Sequence, residues 1–358
     1  MKTNLLDLTP GAAADAVRAF AVSREEPPYR AGQVVRRLWQ TPAASFAEMT
    51  ELPKTFREAL ETRFALPRLE VASRQRSVDG TEKFLFRLHD GQQIETVAIP
   101  EGDRLTLCIS SQAGCALRCA FCATGLMGFA RNLSVFEIAG QVRELVLLDP
   151  LLRATNIVFM GMGEPMLNWA AVDAVLTILN DPAGFGIGAR HITVSTVGVL
   201  PGIVALAARP EQFRLAISVH APNDALRHTL MPINTKYPLA DVIAAGAAFD
   251  RRVTFEYVML GGVNDQPEHA RELAALARAC RAFVNLIPLH PGGGGAFTPT
   301  SGEEIRRFAG RLRRDGVEVA IRKSRGVDIA AACGQLRAER LRRRAPRGAE
   351  HHGDVHVA

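Results

Sequence analysis

The chain has 358 residues, 47% hydrophobic and 22% charged, with 30 Gly and 20 Pro; this excludes fibrous and collagen-like chains and leaves one large domain with an appendage, or two domains. A formal charge of +6 permits a polyanionic partner such as RNA without requiring one. No run of about 18 apolar residues marks a membrane span, and Asp7 and Asp15 stand where a signal peptide needs an apolar core, so a cytoplasmic chain with no membrane partner is expected.

Residues 1–70 predict a small helical domain, with helices at 12–21, 30–39 and 53–64 separated by Glu-Pro-Pro and Thr-Pro breaks. In the second, Val34, Val35, Leu38 and Trp39 recur at helical spacing beside Arg30, Arg36 and Arg37. That face reads either as an ordinary amphipathic packing surface or as an RNA-docking one. Residues 71–104 carry two strand-like runs, 83–87 and 93–99, joined by His-Asp-Gly: a β-hairpin connector.

From 105 to 336 strand and helix patterns alternate. Strands are expected at 105–110, 156–160, 191–195, 214–219, 253–259, 283–288 and 317–322, and helices at 134–148, 169–180, 201–208, 239–249, 267–280 and 303–314. Six βα units and a closing strand imply an α/β fold with a parallel sheet, a partial or complete (β/α) barrel, whose chemistry sits at the C-terminal strand ends. In 267–280, Leu273, Leu276, Ala277 and Cys280 share one face, which makes Cys280 a core residue. Residues 337–358 set six arginines against Glu339, Glu350 and Asp354, lack apolar periodicity, and read as a basic, disordered tail. His351, His352 and His356 there are at most adventitious metal ligands.

Six cysteines in a long intracellular chain argue against a disulfide framework. Three of them form Cys115-Ala-Leu-Arg-Cys119-Ala-Phe-Cys122 directly after the first barrel strand. Three thiolates on one tight loop can hold three irons of a [4Fe–4S] cluster and leave the fourth open to bind a substrate. A structural zinc site would want four ligands, and only Cys108, upstream on the strand, is placed to add one. Gly161-Met-Gly163-Glu164-Pro165 follows the second strand; alone it is half a dinucleotide fingerprint.

The CxxxCxxC run, with Phe121 before its third cysteine, resembles the radical S-adenosylmethionine (SAM) superfamily. Ala123-Thr-Gly-Leu-Met-Gly-Phe-Ala-Arg-Asn-Leu133, the Gly-Met-Gly-Glu-Pro run, Ser195-Thr-Val-Gly, Ser218-Val-His220, Asn285-Leu-Ile-Pro288 and Asp328-Ile-Ala-Ala-Ala-Cys333-Gly-Gln-Leu336 further resemble the RlmN/Cfr family of RNA adenine methyltransferases, over nearly the whole chain. The resemblance implies that Cys115, Cys119 and Cys122 ligate a [4Fe–4S] cluster and that Gly163, Glu164, Ser195, Ser218, Val219, His220 and Asn285 line the SAM site. It implies that Cys333 is the cysteine that becomes methylated, Cys108 the one that resolves the adduct as a disulfide, and Glu95 the proton acceptor.

Carbon 2 of adenine is electron-poor and cannot take a methyl group from SAM as a nucleophile, whereas a thiolate can. The implied route therefore uses two SAM molecules per turnover, a methylated Cys333 and a covalent protein–RNA adduct. The implied partners are 23S rRNA, tRNA and a one-electron reductant of flavodoxin or ferredoxin type, acting on a monomer. Methylation at carbon 8 on the same scaffold, and a non-catalytic iron–sulfur or zinc RNA-binding protein, are the alternatives. One departure from the family pattern is His290-Pro-Gly-Gly-Gly-Gly, where Asn-Pro is usual; it leaves the substrate contacts open.

Overall fold

Capping residues begin several of the helices. Thr9 accepts from the Ala12 amide with Pro10 in the first turn, and Ser134 with Glu137 and Ser301 with Glu304 form reciprocal capping boxes. The resulting helices are those expected: Pro10–Ser23, Arg30–Trp39 and Lys54–Arg63 at the N-terminus, then Val135–Leu148, Trp169–Asn180, Leu200–Ala207, Leu239–Ala248, Pro267–Cys280 and Gly302–Arg314 between strands. This computed structural model describes residues 2–290 and 295–336. The basic tail with its three histidines, and residues 291–294 of the departure after His290, lie outside them.

One ten-stranded sheet organises the chain. Its strands are β1 (Glu70–Arg76), β2 (Glu82–Arg87), β3 (Gln93–Glu101), β4 (Arg104–Cys108), β5 (Asn156–Phe159), β6 (Ile192–Thr196), β7 (Arg214–Ser218), β8 (Val253–Met259), β9 (Phe283–Pro288) and β10 (Val319–Ile321). They lie side by side in chain order. β4 to β10 are parallel, joined by helical crossovers; β1 to β4 pair antiparallel. The run 71–104 is thus an antiparallel extension of the barrel sheet, longer by strand β1 than the hairpin expected. β1 and β10 remain unpaired edges, yet Ile99 and Thr106 of β3 and β4 line one cavity with Ile287 and Ile321 of β9 and β10. The sheet therefore curls into a partial barrel.

The N-terminal helices pack on helix Val135–Leu148 and its surroundings. Trp39, fully buried, meets Phe185 at 5.5 Å. Buried Arg143 donates from Nε to the Leu38 carbonyl at 3.0 Å and also to the Ala43 carbonyl, which places a charge of the favourable sign at the C-terminal end of helix Arg30–Trp39. Cys280 is buried with its thiol directed at the Ile243 carbonyl, 3.1 Å away, the core position its helical face implied.

Candidate active site

At the C-terminal end of β4 the chain leaves the sheet as a long loop, braced by two short antiparallel strands, Gln112–Gly114 and Phe129–Asn132. Backbone hydrogen bonds hold the cysteines within it: Cys115 N–H to the Gly128 carbonyl (2.8 Å), Ala120 N–H to Leu230 (2.9 Å) and Ala123 N–H to Gly334 (2.8 Å). The last bond joins the cysteine loop to the segment that carries Cys333.

Cys115, Cys119 and Cys122 line one cavity at this end of the barrel. Burial pushes all three thiols upward, Cys115 to about 12, and their mutual proximity opposes ionisation further. Three thiols that cannot ionise alone suit a cationic iron centre that would neutralise the thiolates. Among the described residues no three His, Cys, Asp or Glu side chains close on a single ion position; a cluster offering each thiolate its own iron does not need such convergence.

Gly163, Glu164, Ser195, Ser218 and His220 line the same cavity. Gly163 has φ +100°, and a Cβ there would come within 2.5 Å of the Gln112 side chain, so the turn tolerates only glycine. Gln112 in turn accepts from the Glu164 N–H at 2.8 Å. The Glu164 carboxylate is buried and pushed up to about 7 by that burial, despite accepting from Val197 N–H at 2.9 Å and Met166 N–H at 3.0 Å; a bound ammonium would complete it. His220 stands edge-on to Phe121 at 4.7 Å and accepts at Nδ1 from Val258 N–H, and burial lowers its pKa to about 3, so the ring is neutral.

Two residues that the resemblance implies for the SAM site do not line this cavity. Val219 is fully buried in the core, because strand alternation turns it away from the face shared by Ser218 and His220. Asn285 does not line the cavity; its Nδ2 donates to Glu256 Oε1 at 3.0 Å and so orients a carboxylate that does.

Cys108 of β4 and Cys333 are neighbours, and Glu95 of β3 lies on the same sheet face as Cys108 but lines neither the cysteine cavity nor the one beside it. In the register of β2, β3 and β4, Val97 faces both Lys83 and Cys108, so Lys83, Glu95 and Cys108 share one face of the sheet. Lys83 Nζ lies 3.6 Å from Glu95 Oε1 and donates to the Ala330 carbonyl at 3.2 Å, on the loop leading to Cys333. That loop is also clasped by the β1–β2 turn. Ser77 Oγ donates to Asp328 Oδ1 at 2.5 Å, Val78 N–H to Asp328 Oδ2 at 3.2 Å, and Gly326 N–H to Asp79 Oδ2 at 3.0 Å. Cys333 is exposed and lines the cysteine cavity. Cys108 is buried outside that lining, so a fourth-ligand role finds no support in the geometry; burial and the nearby Cys333 push its thiol up to about 12.

Sequence reasoning missed Arg322, Glu256, Gln112 and Lys83. Arg322 lines the cavity with Cys333, lies 3.7 Å from Glu256 Oε2 and 3.8 Å from Met160 Sδ, and is held further toward its charged form first by Cys333, then by Glu256 and Cys108, against burial. The basic run Arg322-Lys323-Ser324-Arg325 just after the last strand was the available signal.

Curled parallel sheet and cysteine loop together define a radical SAM enzyme: residues 109–274 match the radical SAM superfamily. Residues 3–66 match the ribosomal RNA large subunit methyltransferase N-terminal domain. The chain is 70% identical to "Probable dual-specificity RNA methyltransferase RlmN" of Gemmatimonas aurantiaca, across 99% of both chains. It is 47% identical to the dual-specificity RNA methyltransferase RlmN of Anaeromyxobacter dehalogenans, over 88% of this chain and 87% of that one. A crystal structure of a radical SAM methyltransferase from Sphaerobacter thermophilus superposes with a TM-score of 0.88 at 46% identity, covering 94% and 99% of the two chains. The chain belongs to the RlmN family of RNA methyltransferases.

Proposed function

We propose that this enzyme methylates carbon 2 of adenosine in 23S rRNA and in tRNA through a methyl-cysteine. The observation that carries the reading is the meeting of Cys333 with both the cysteine cavity and the buried Cys108–Glu95 face. Cys115, Cys119 and Cys122 would hold a [4Fe–4S] cluster, and Glu164 the ammonium of SAM, while Phe121 and His220 close the wall. When bound, that cluster with SAM supplies a carbon radical able to take a hydrogen atom from a thioether methyl group.

The chain's own residues do the rest. The Cys333 thiolate displaces the methyl group of a first SAM. After hydrogen removal at the cost of a second SAM, the methylene carbon bonds to adenine carbon 2, linking RNA and protein. Glu95 takes the ring proton while the adduct's unpaired electron would pass back to the cluster, leaving a closed-shell thioether; the Cys108 thiolate then attacks the Cys333 sulfur, the carbon–sulfur bond breaks, and the freed methylene carbon takes a proton to become the methyl group as the disulfide forms and the base departs. A flavodoxin- or ferredoxin-type donor would supply the electron, to a monomeric, cytoplasmic enzyme. The N-terminal helical domain 1–70 and the tail 337–358 would add phosphate contacts.

Single substitutions separate the two cysteines. Cys333→Ala forms neither methyl-protein nor adduct. Cys108→Ala methylates Cys333 and adds to the base but does not release it, giving a shifted band with labelled RNA on denaturing gels. Normal turnover by either variant, or the same empty result from both with the cluster retained, overturns the assignment.

A further inference from the structure

Beside the cysteine cavity lies a second cavity of about 400 Å³, and the two meet at Cys333, Arg322, Ile287 and Pro288. Cys333 therefore stands in a partition: SAM reaches its sulfur from one side, and the other side is open to a second molecule. The walls of this second cavity are apolar, from Ile99 on β3, Ile287 on β9 and Ile321 on β10. Its rim is basic, since Lys323 and Arg325 follow β10 directly.

Two of the charges on that rim are uncommitted among the described residues. Lys323 is exposed and Arg325 half-buried, and neither side chain has an ion-pair or hydrogen-bond partner among the described residues. Glu101, the carboxylate lining the same cavity, is paired with Arg104 at 2.5 Å, and Ser324 is bonded to His290. By contrast, Arg30 and Arg37 of the N-terminal helix are matched by Glu26 and Glu51 at 3.6 and 3.7 Å. Apolar walls that can take a flat base, beside two cations at the mouth with no partner among the described residues, suit a base and its flanking phosphates.

We propose that this second cavity seats the RNA strand around the target adenosine, with the base between the isoleucine walls facing Cys333 and the flanking phosphates on Lys323 and Arg325. The proposal rests on the reading of the enzyme as an RNA methyltransferase and assigns where its substrate lies. The anions fixed here would sit within one nucleotide of the reacting base, so these two residues set register as well as affinity.

The test is equilibrium binding of a labelled RNA hairpin with an unpaired adenosine to the anaerobically reconstituted holoenzyme, between about 0.05 and 0.2 M salt. Each single-strand phosphate contact contributes about 0.7 to the slope of log affinity against log salt, so Lys323→Ala with Arg325→Ala should flatten it by about 1.4 and weaken binding at low salt about tenfold or more. Binding is referred to the folded fraction by circular dichroism; if the alanine pair does not fold, the glutamine pair is read instead. An unchanged slope and affinity overturn the proposal. Adenosine monophosphate competing as well as the hairpin overturns it too, because the site would then take a nucleotide and not a strand. A wild-type enzyme that binds the hairpin with the full slope but transfers no methyl group overturns the proposed function while leaving the seat standing.

Discussion

In the proposed reaction, Cys108 has a task its surroundings oppose. Burial and the neighbouring Cys333 push its thiol from the ordinary 9.0 to about 12, while Arg322 works in the other direction. Only the thiolate attacks sulfur, and below its pKa the thiolate fraction rises tenfold per pH unit. Release of the protein–RNA adduct should therefore accelerate about tenfold per unit from about pH 7 to 9 in single-turnover measurements. A flat profile would mean that another group takes the thiol proton before attack. Arg322→Gln keeps a polar side chain but removes the cation, so release should slow and its pH profile move to higher pH while the cluster remains assembled. These roles were only partly legible in sequence. The three cysteines and the Gly-Met-Gly-Glu-Pro turn declare themselves because each is local. Arg322, Glu256 and Lys83 acquire meaning only when strands far apart in the chain stand together, and the burial of Val219 between Ser218 and His220 follows from an alternation that the resemblance alone does not display.

At the scale of elements, the strand and helix pattern was readable because apolar residues recur with the right period; β8 and β9 fall where alternation puts them. Strand β1 escaped because Glu-Val-Ala-Ser-Arg-Gln-Arg has little apolar alternation, as suits an edge strand whose one neighbour supplies its pairing. Its turn into β2 nevertheless holds the Cys333 loop. Burial disfavours ionisation of Asp79, but the Thr81 hydroxyl, the Gly326 amide and the Ser77 hydroxyl together pull its carboxyl from 3.8 down to about 2. The folded value lies below the unfolded one, so this contribution to the clasp is complete above about pH 4 and is lost as pH falls toward 2. At neutral pH, Asp79→Asn with Asp328→Asn should loosen the loop. Cys333 should then react faster with a thiol alkylator and carry less methyl group after incubation with SAM; alkylation at the wild-type rate would mean that the clasp does not set the loop's position.

Across the whole molecule, the N-terminal helices are fastened by few but deeply buried groups. Arg143→Ala would leave the Leu38 and Ala43 carbonyls without their donor and remove the cation beside buried Glu144. The expected cost is about 3 kcal/mol or more, read as a lower denaturant midpoint with the slope unchanged. The clasp on the Cys333 loop also bears on how the chain is made. Ser77 and Asp328 are 251 residues apart, and contacts of such separation close late because a long loop must be ordered first. As the polypeptide leaves the ribosome, the cysteine loop and the first strands of the barrel emerge well before Cys333. On the proposed reading, a nascent chain thus holds the residues that would ligate the cluster before it has the cysteine that would carry the methyl group. The clasp links that delivery to a turn made 251 residues earlier in the chain, so the site is complete only once this long-range contact has closed.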